Sequence, residues 1–462
     1  MAQPTRPAVS RTRRVLRWFL IVVLVVLLAA GAGVGWWLYQ NRADPIPAGT
    51  PAQPALTSVD PSIVAVRKDA PAPTAAGVAK ALAAPLKDPA LGKLTGQVTD
   101  PLTGKVLWSR GADQPRVPAS NAKILTASAV LLALPHNDRL TTKVVLEPSG
   151  RAILVGAGDP TLTSIPDGER SFYSDPARID DLVDQIKKSG KTVTSVAVDT
   201  SLFTGPTMAK SWDRGDIEGG DIAPIESLMV DGGRLKPAEE YSPRTTEPAL
   251  DAGRALASEL GVNSEVENAP APSGAPTIAQ VSSAPLTVRV GDMMRFSDNV
   301  LAESLAIELA RATGGEASIA GGAEAVLTTL RKNGFDADAA TLVDSSGISY
   351  SDRVPASLLD ALMTAAADDG HPKLRSLLDS LPVAAGTGTL ADRFDPDRTP
   401  GAGWVRGKTG TLTGVSSLTG VVQTVDGRVL AFAMISGGTS PEDARPAVDA
   451  VVGALRDCGC RD

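Results

Sequence analysis

Three short motifs occur in this chain in one fixed order, and any fold it adopts must bring them to one place. They are Ser120-Asn121-Ala122-Lys123, Ser297-Asp298-Asn299 and Lys408-Thr409-Gly410. Each is weak alone. At average residue usage a Ser-x-x-Lys arises by chance about once in a chain of this length. Here Ser120 to Lys123 is its only occurrence, and Ser297 to Asn299 is the only Ser-x-Asn. The ordered set supplies a nucleophile, a base, a proton relay and an anion site, and therefore points to an active-site serine enzyme.

Local sequence supports these roles. An apolar run from Ile124 to Leu134 follows the first motif, so Ser120 should lie in the first turn of a buried helix. Residues i and i+3 share a helix face, which brings the Lys123 amine to the Ser120 hydroxyl. A serine hydroxyl needs a neighbouring base to become a good nucleophile, and a lysine is a base only as the neutral amine. Burial and nearby cations lower a lysine pKa, and Lys408 could be such a cation. A helix N-terminus also presents N–H groups to developing negative charge. A serine N-cap followed by a solvated lysine would explain Ser120 alone; the other two motifs argue against it.

The third motif has two decoys. Gly407-Lys408-Thr409 resembles the end of a phosphate loop, but position 402, where that loop needs glycine, is Ala402. Lys188-Ser189-Gly190 ends an amphipathic stretch, so Gly190 reads as a residue just past a helix. Around Lys408 the pattern is strand-like instead: 404–412, 417–425 and 428–436, with Asp426-Gly427 as a two-residue hairpin signal. Lys408 should stand on a strand at a sheet edge, facing the Ser120 helix.

This set resembles the penicillin-recognising serine enzymes, the D-alanyl-D-alanine peptidases and serine β-lactamases. Ser120 and Ser297 lie 177 positions apart, so an insertion separates them. Further segments resemble the carboxypeptidase/endopeptidase branch that carries such an insert, the low-molecular-weight class C penicillin-binding proteins. They are Val117 to Asn121, Gly156 to Leu162, Ser297 to Glu303, Asp344 to Ser349 and Gly388-Thr389-Leu390. The resemblance implies an α+β fold: a transpeptidase domain of antiparallel sheet and helical cluster, interrupted by a mixed α/β insert. It assigns 76–140 and 281–457 to the catalytic domain and 141–280 to the insert.

The resemblance also implies a mechanism. Lys123 deprotonates Ser120, which attacks the penultimate D-alanine carbonyl of a peptidoglycan stem peptide. The N–H groups of Ser120 and Thr411 form the oxyanion hole. Ser297, bridging Lys123 and Lys408, passes a proton to the leaving D-alanine. Asn299 holds the substrate amide, and Lys408, Thr409 and Thr411, with Gly410 between them, receive the terminal carboxylate. β-Lactams should acylate Ser120 and leave slowly. No separate carboxylate reads as a fast deacylation base, which argues against the β-lactamase alternative. A catalytically silent wall-binding scaffold is the other alternative, and it would need none of these residues together.

The N-terminus adds an address. Five arginines and no acid occupy residues 1–17, so the rest of this −7 chain carries −12. An acidic body argues against nucleic-acid binding. Residues 18–39 form an uncharged apolar run long enough to span a bilayer. Its basic flank predicts a cytoplasmic N-terminus and an extracytoplasmic enzyme at a bacterial membrane. Length favours a retained anchor over a cleavable signal peptide, although Ala29 to Ala32 offers small residues for a cut. The Pro/Ala-rich stretch 40–75 reads as a semi-extended linker. His136 and His371, the only histidines, sit in turns without metal-ligand spacing, and His136 should be exposed. No metal or cofactor is expected. Cys458 and Cys460 lie near the end, with a disulfide and free thiols both open.

Overall fold

The computed structural model describes residues 69–395 and 399–459; the basic tail, the apolar run 18–39 and most of the linker lie outside them. Among the described residues no helix is long and apolar enough to cross a membrane. The described residues fall within one compact unit.

Two five-stranded sheets organise this unit. The first joins β1 (Thr95–Asp100), β2 (Lys105–Arg110), β8 (Val405–Leu412), β9 (Val415–Gln423) and β10 (Val429–Gly437). It is antiparallel, in the order β2-β1-β10-β9-β8, which leaves β8 at an edge. The second joins β3 (Thr141–Leu146), β4 (Arg151–Val155), β5 (Ser195–Asp199), β6 (Glu267–Asn268) and β7 (Thr277–Ser282). Its order is β6-β5-β4-β3-β7, with parallel pairs β4-β5 and β5-β6. The chain enters this sheet on β3 and leaves on β7, and Thr141 pairs with Ser282. Entry and exit are thus antiparallel neighbours, as an inserted segment requires.

The helices are α1 (Ala75–Leu82), α2 (Ala122–Ala133), α3 (Ile179–Lys188), α4 (Gly215–Gly219), α5 (Pro248–Leu260) and α6 (Leu286–Phe296). Then follow α7 (Asn299–Ala312), α8 (Ile319–Lys332), α9 (Ala356–Ala367), α10 (Arg375–Ser380) and α11 (Pro441–Arg456). Strand periodicity decides how the first sheet is covered, because successive side chains point to opposite faces. Leu430, Phe432 and Met434 of β10 join a core with Val78 and Leu82 of α1 and Val448, Val451 and Val452 of α11. The alternate residues Ala431, Ala433 and Ile435 face a helical cluster that includes Leu358, Leu359 and Leu362 of α9. α2 runs through that cluster, with eleven of its twelve residues buried. In the second sheet, Val144, Leu154, Val196 and Val198 pack on Leu182, Val183 and Ile186 of α3 and Leu256 of α5.

The two regions share apolar packing. Trp212, Ile217, Ile222 and Met229, all between β5 and α5, cluster with Val300 and Ile307 of α7 and Ile319 of α8.

Three local readings change. The pattern over 292–311 predicts one helix bearing Ser297, but the structure has two helices, α6 and α7, broken at Ser297, whose backbone is left-handed at φ 58°. The Asp298 carboxylate caps α7 by accepting from Leu301 N–H at 2.8 Å. The hairpin after β9 closes at Thr424 and Arg428, so its loop is the three residues 425–427, with Gly427 at φ 88°. His136 is half-buried, its Nε2 lying 3.1 Å from the Leu131 carbonyl. Cys458, for which a disulfide and a free thiol were both open, is a disulfide cysteine.

At the far end of the first sheet, Arg428 donates to both Asp100 oxygens at 3.0 and 2.6 Å and to Ala70 O at 3.2 Å, all buried. Removing one partner of a buried pair strands the other charge. Arg428→Ala should therefore lower unfolding stability by about 3 kcal/mol in urea titrations.

Candidate active site

The site forms where the edge strand β8 meets the turn before α2 and the α6–α7 break. Ser120 sits in a single 3-10 turn, Ala119–Asn121, that runs directly into α2. Ala119, which enters the turn, is left-handed at φ 49°. Both motif serines thus sit at or beside strained backbone, as is common where a fold holds reactive groups.

Two glycines permit the close approach. A Cβ on Gly410 would lie 2.2 Å from Ser417 Oγ, 2.8 Å from Pro118 O and 3.1 Å from Ser120 N. Gly347, at φ 84°, would place a Cβ 2.0 Å from Ala119 O. β8 and the 344–349 loop therefore press on the nucleophile turn from two sides, and only glycine fits at each contact.

Lys123 and Lys408 are both fully buried, with no exposed side-chain surface. Lys123 Nζ donates to Ser120 Oγ at 3.0 Å, Ser346 O at 2.7 Å and Asn299 Oδ1 at 2.5 Å. Burial lowers its pKa to about 8, against the opposing pull of Asp344, Glu303, Asp298 and Asp221. Lys408 is not among the causes. Burial also pushes the Lys408 pKa well down, and there the Lys123 charge adds to the effect. Lys408 Nζ donates to Ser297 Oγ at 2.8 Å and to Thr409 O at 2.7 Å. Thr409 Oγ1 in turn donates to Thr389 Oγ1 at 2.8 Å.

The structure thus brings Ser120, Lys123, Ser297, Asn299, Lys408, Thr409, Gly410 and Thr411 to one location, with two changes of partner. Asn299, rather than Ser297, holds the Lys123 amine. The Asn299 amide is also occupied, because its Nδ2 donates to Asp221 O at 2.8 Å.

Two charged groups behind the motifs were not singled out as functional from sequence. The first lies beneath Lys123. Glu303 Oε1 accepts from the Ser345 and Ser346 N–H groups at 2.9 and 2.7 Å, and Ser346 O accepts from Lys123. Burial and the nearby Asp344 push the Glu303 pKa up. Asp344 accepts from Gly347 N, Ser349 N and Trp212 Nε1 at 2.7, 2.9 and 2.8 Å. The second group surrounds Asp298. Arg234 donates to it at 2.8 Å, Arg244 lies at 3.5 Å, and Tyr173 O–H donates at 3.1 Å. Burial alone would raise the Asp298 pKa, but Arg234 and Arg244 hold it well below the usual carboxylate range. These three partners lie between β4 and α5, far from Asp298 in sequence, so periodicity and spacing carried no sign of them. Glu303 and Asp344 did lie inside segments that carry the family resemblance.

The cleft above these groups has a volume of about 1150 Å3, and Ser120, Ser297, Asn299, Thr409 and Thr411 line it. Among the described residues no cluster of His, Cys, Asp or Glu could hold a metal.

A serine hydroxyl hydrogen-bonded to a buried lysine at the edge of an antiparallel sheet defines a serine acyl-transfer site. The chain belongs to the D-Ala-D-Ala carboxypeptidase 3 (S13) family, which it matches over residues 78–242 and 238–458. It is 48% identical over 447 residues to carboxypeptidase DacB of Mycolicibacterium smegmatis, covering 95% of this chain and 96% of that one. It is 29% identical to a D-alanyl-D-alanine carboxypeptidase of an Actinomadura species, covering 80% and 83%. Among solved structures, its fold is similar to that of penicillin binding protein 4 from Haemophilus influenzae. That match has a TM-score of 0.65 and 20% identity, over 79% of this chain and 93% of the other.

Arg234→Met would leave the buried Asp298 carboxylate with one guanidinium fewer. The variant should lose about 3 kcal/mol of stability. Per folded molecule, its acylation by benzylpenicillin should also slow, because the α6–α7 break that presents Ser297 loses a restraint. Urea titration and stopped-flow acylation measure the two effects separately.

Proposed function

We propose that this protein is a serine D-Ala-D-Ala carboxypeptidase that acts on peptidoglycan stem peptides through a Ser120 acyl-enzyme. The observation that carries the reading is the 3.0 Å hydrogen bond between Ser120 Oγ and the buried Lys123 amine. With its pKa near 8, Lys123 is a working base close to neutral pH.

In the first half-reaction, Ser120 Oγ bonds to the penultimate D-alanine carbonyl carbon and its proton passes to Lys123 Nζ. Backbone N–H groups of Ser120 and Thr411 take the developing oxyanion; the close approach of Gly410 to Ser120 N supports that pairing. The peptide C–N bond then breaks. The proton on Lys123 Nζ passes by way of the Ser297 hydroxyl, which accepts from Lys408 at 2.8 Å, to the leaving D-alanine nitrogen. Water attacks the acyl-enzyme carbonyl in the second half-reaction and gives a proton to Lys123; the ester C–O bond breaks, Ser120 Oγ takes that proton across its 3.0 Å hydrogen bond, and the shortened peptide acid leaves. A β-lactam enters by the same attack, with its ring C–N bond breaking instead. Asn299 acts here by fixing the Lys123 amine through its carbonyl. Placement at the outer face of a bacterial membrane is part of this reading and rests on residues 18–39.

Incubation of the protein with benzylpenicillin should give a persistent one-drug adduct in the intact mass, absent from Ser120→Ala. Rapid drug loss without a lasting adduct would favour a β-lactamase, and no reaction in folded protein would favour a silent scaffold. The pH profile of acylation gives a second test. Lys123 must be neutral to act, so the rate should rise with pH and level off above about 8. A rate independent of pH between 6 and 9 would exclude Lys123 as the base.

A further inference from the structure

The carboxypeptidase reading requires a place for the negatively charged end of the substrate. The sequence offers Lys408 for this role, but the structure withholds it. Lys408 has no exposed surface, and its amine is spent on Ser297 Oγ and Thr409 O. A carboxylate in the cleft therefore needs another cation.

Among the described residues, four arginines line the cleft: Arg234, Arg244, Arg393 and Arg445. Arg234 and Arg244 are committed to Asp298 within the buried network. Arg393 is committed to Asp449, donating to its two oxygens at 2.7 and 2.6 Å. Arg445 has no carboxylate partner among the described residues. Its guanidinium instead donates to Thr411 Oγ1 at 3.1 Å, on the same edge strand as Lys408 and Thr409.

Arg445 is also firmly mounted. It lies near the start of α11, whose N-terminus is capped by Ser440 Oγ accepting from Asp443 N. One turn further on, the Arg393–Asp449 pair pins the same helix, and Arg393 also reaches the Arg445 carbonyl at 3.4 Å. The side chain is half-buried, so it is ordered by its surroundings yet open to the cleft. Its planar fork can engage a carboxylate with two N–H groups, which a lysine cannot do.

We propose that Arg445 is a specificity-determining residue that receives the free C-terminal carboxylate of the substrate together with the Thr411 hydroxyl. This rests on the carboxypeptidase reading above and divides labour within the site. Lys408 holds the Ser297 hydroxyl, and Arg445 selects chain ends. Internal peptide bonds, with no carboxylate one residue beyond the scissile bond, gain nothing from it.

The test uses substrate pairs that differ only in that charge. An N-acylated peptide ending in D-Ala-D-Ala is compared with its C-terminal amide, and benzylpenicillin with its methyl ester. Each is run on the wild type, Arg445→Met and Arg445→Lys. Arg445→Met should lose roughly 10- to 100-fold in kcat/KM on the free acid, mostly through KM, as expected for a charge-assisted hydrogen bond. On the amide it should change less than about twofold, and Arg445→Lys should recover part of the loss. The acylation rates for penicillin and its ester should divide in the same way. Equal losses on acid and amide would overturn the proposal in favour of a structural role, and so would no loss on either. If the wild type cleaves neither peptide, the carboxypeptidase reading fails. The penicillin pair then still decides whether Arg445 recognises a carboxylate.

Discussion

The burial of the Lys123 amine is the constraint on which the rest of the site depends. An ammonium removed from water must be compensated or neutralised, and this one is partly both. Three hydrogen-bond acceptors surround it, and carboxylates beneath it oppose the effect of burial. The balance leaves a lysine that can take a proton near neutral pH. A more exposed lysine would stay charged, and a lysine buried without Glu303 and Asp344 would lose its proton too readily to return it. The motif provides the amine, and the loop 344–349 with α7 provides the field that makes it a base.

A second buried charge extends that requirement to the insert. Asp298 begins α7 and sits between Ser297 and Asn299, one of which meets Lys408 and the other Lys123. Its counter-charges, Arg234 and Arg244, come from the chain between β4 and α5. The ring of Phe172 lies 3.6 Å beneath the Arg234 guanidinium and packs on Phe296 at the end of α6. The chain between β4 and α5 is therefore part of how Ser297 is held, as well as a contributor to the cleft wall. The shared apolar cluster around Trp212 and Val300 gives the same conclusion from packing.

Much of this was legible in the sequence because it is local. The apolar run after Ser120 predicts α2, and the three C-terminal strands fall within a few residues of their expected places. Lys408 stands on an edge strand facing the Ser120 turn, as its pattern required. The misreadings share a cause. The apolar period continues through 292–311 with little interruption, so it could not show that Ser297 leaves the helix. That break is fixed by Asp298 capping α7 and by arginines more than fifty positions away. The partners of Asn299 were hidden for the same kind of reason. Its partners, Lys123 and Asp221, come from elements that the motif does not mention.

The sequence by itself determined the three motifs, their order along the chain and the elements that bear them, because these follow from residue type and short-range periodicity. Only the tertiary structure decided which amine meets which hydroxyl, how far each is removed from water and which cleft arginine makes no carboxylate ion pair among the described residues. Those are properties of distance and dielectric between segments far apart in the chain, and they arise only once the two sheets and the helices between them have packed.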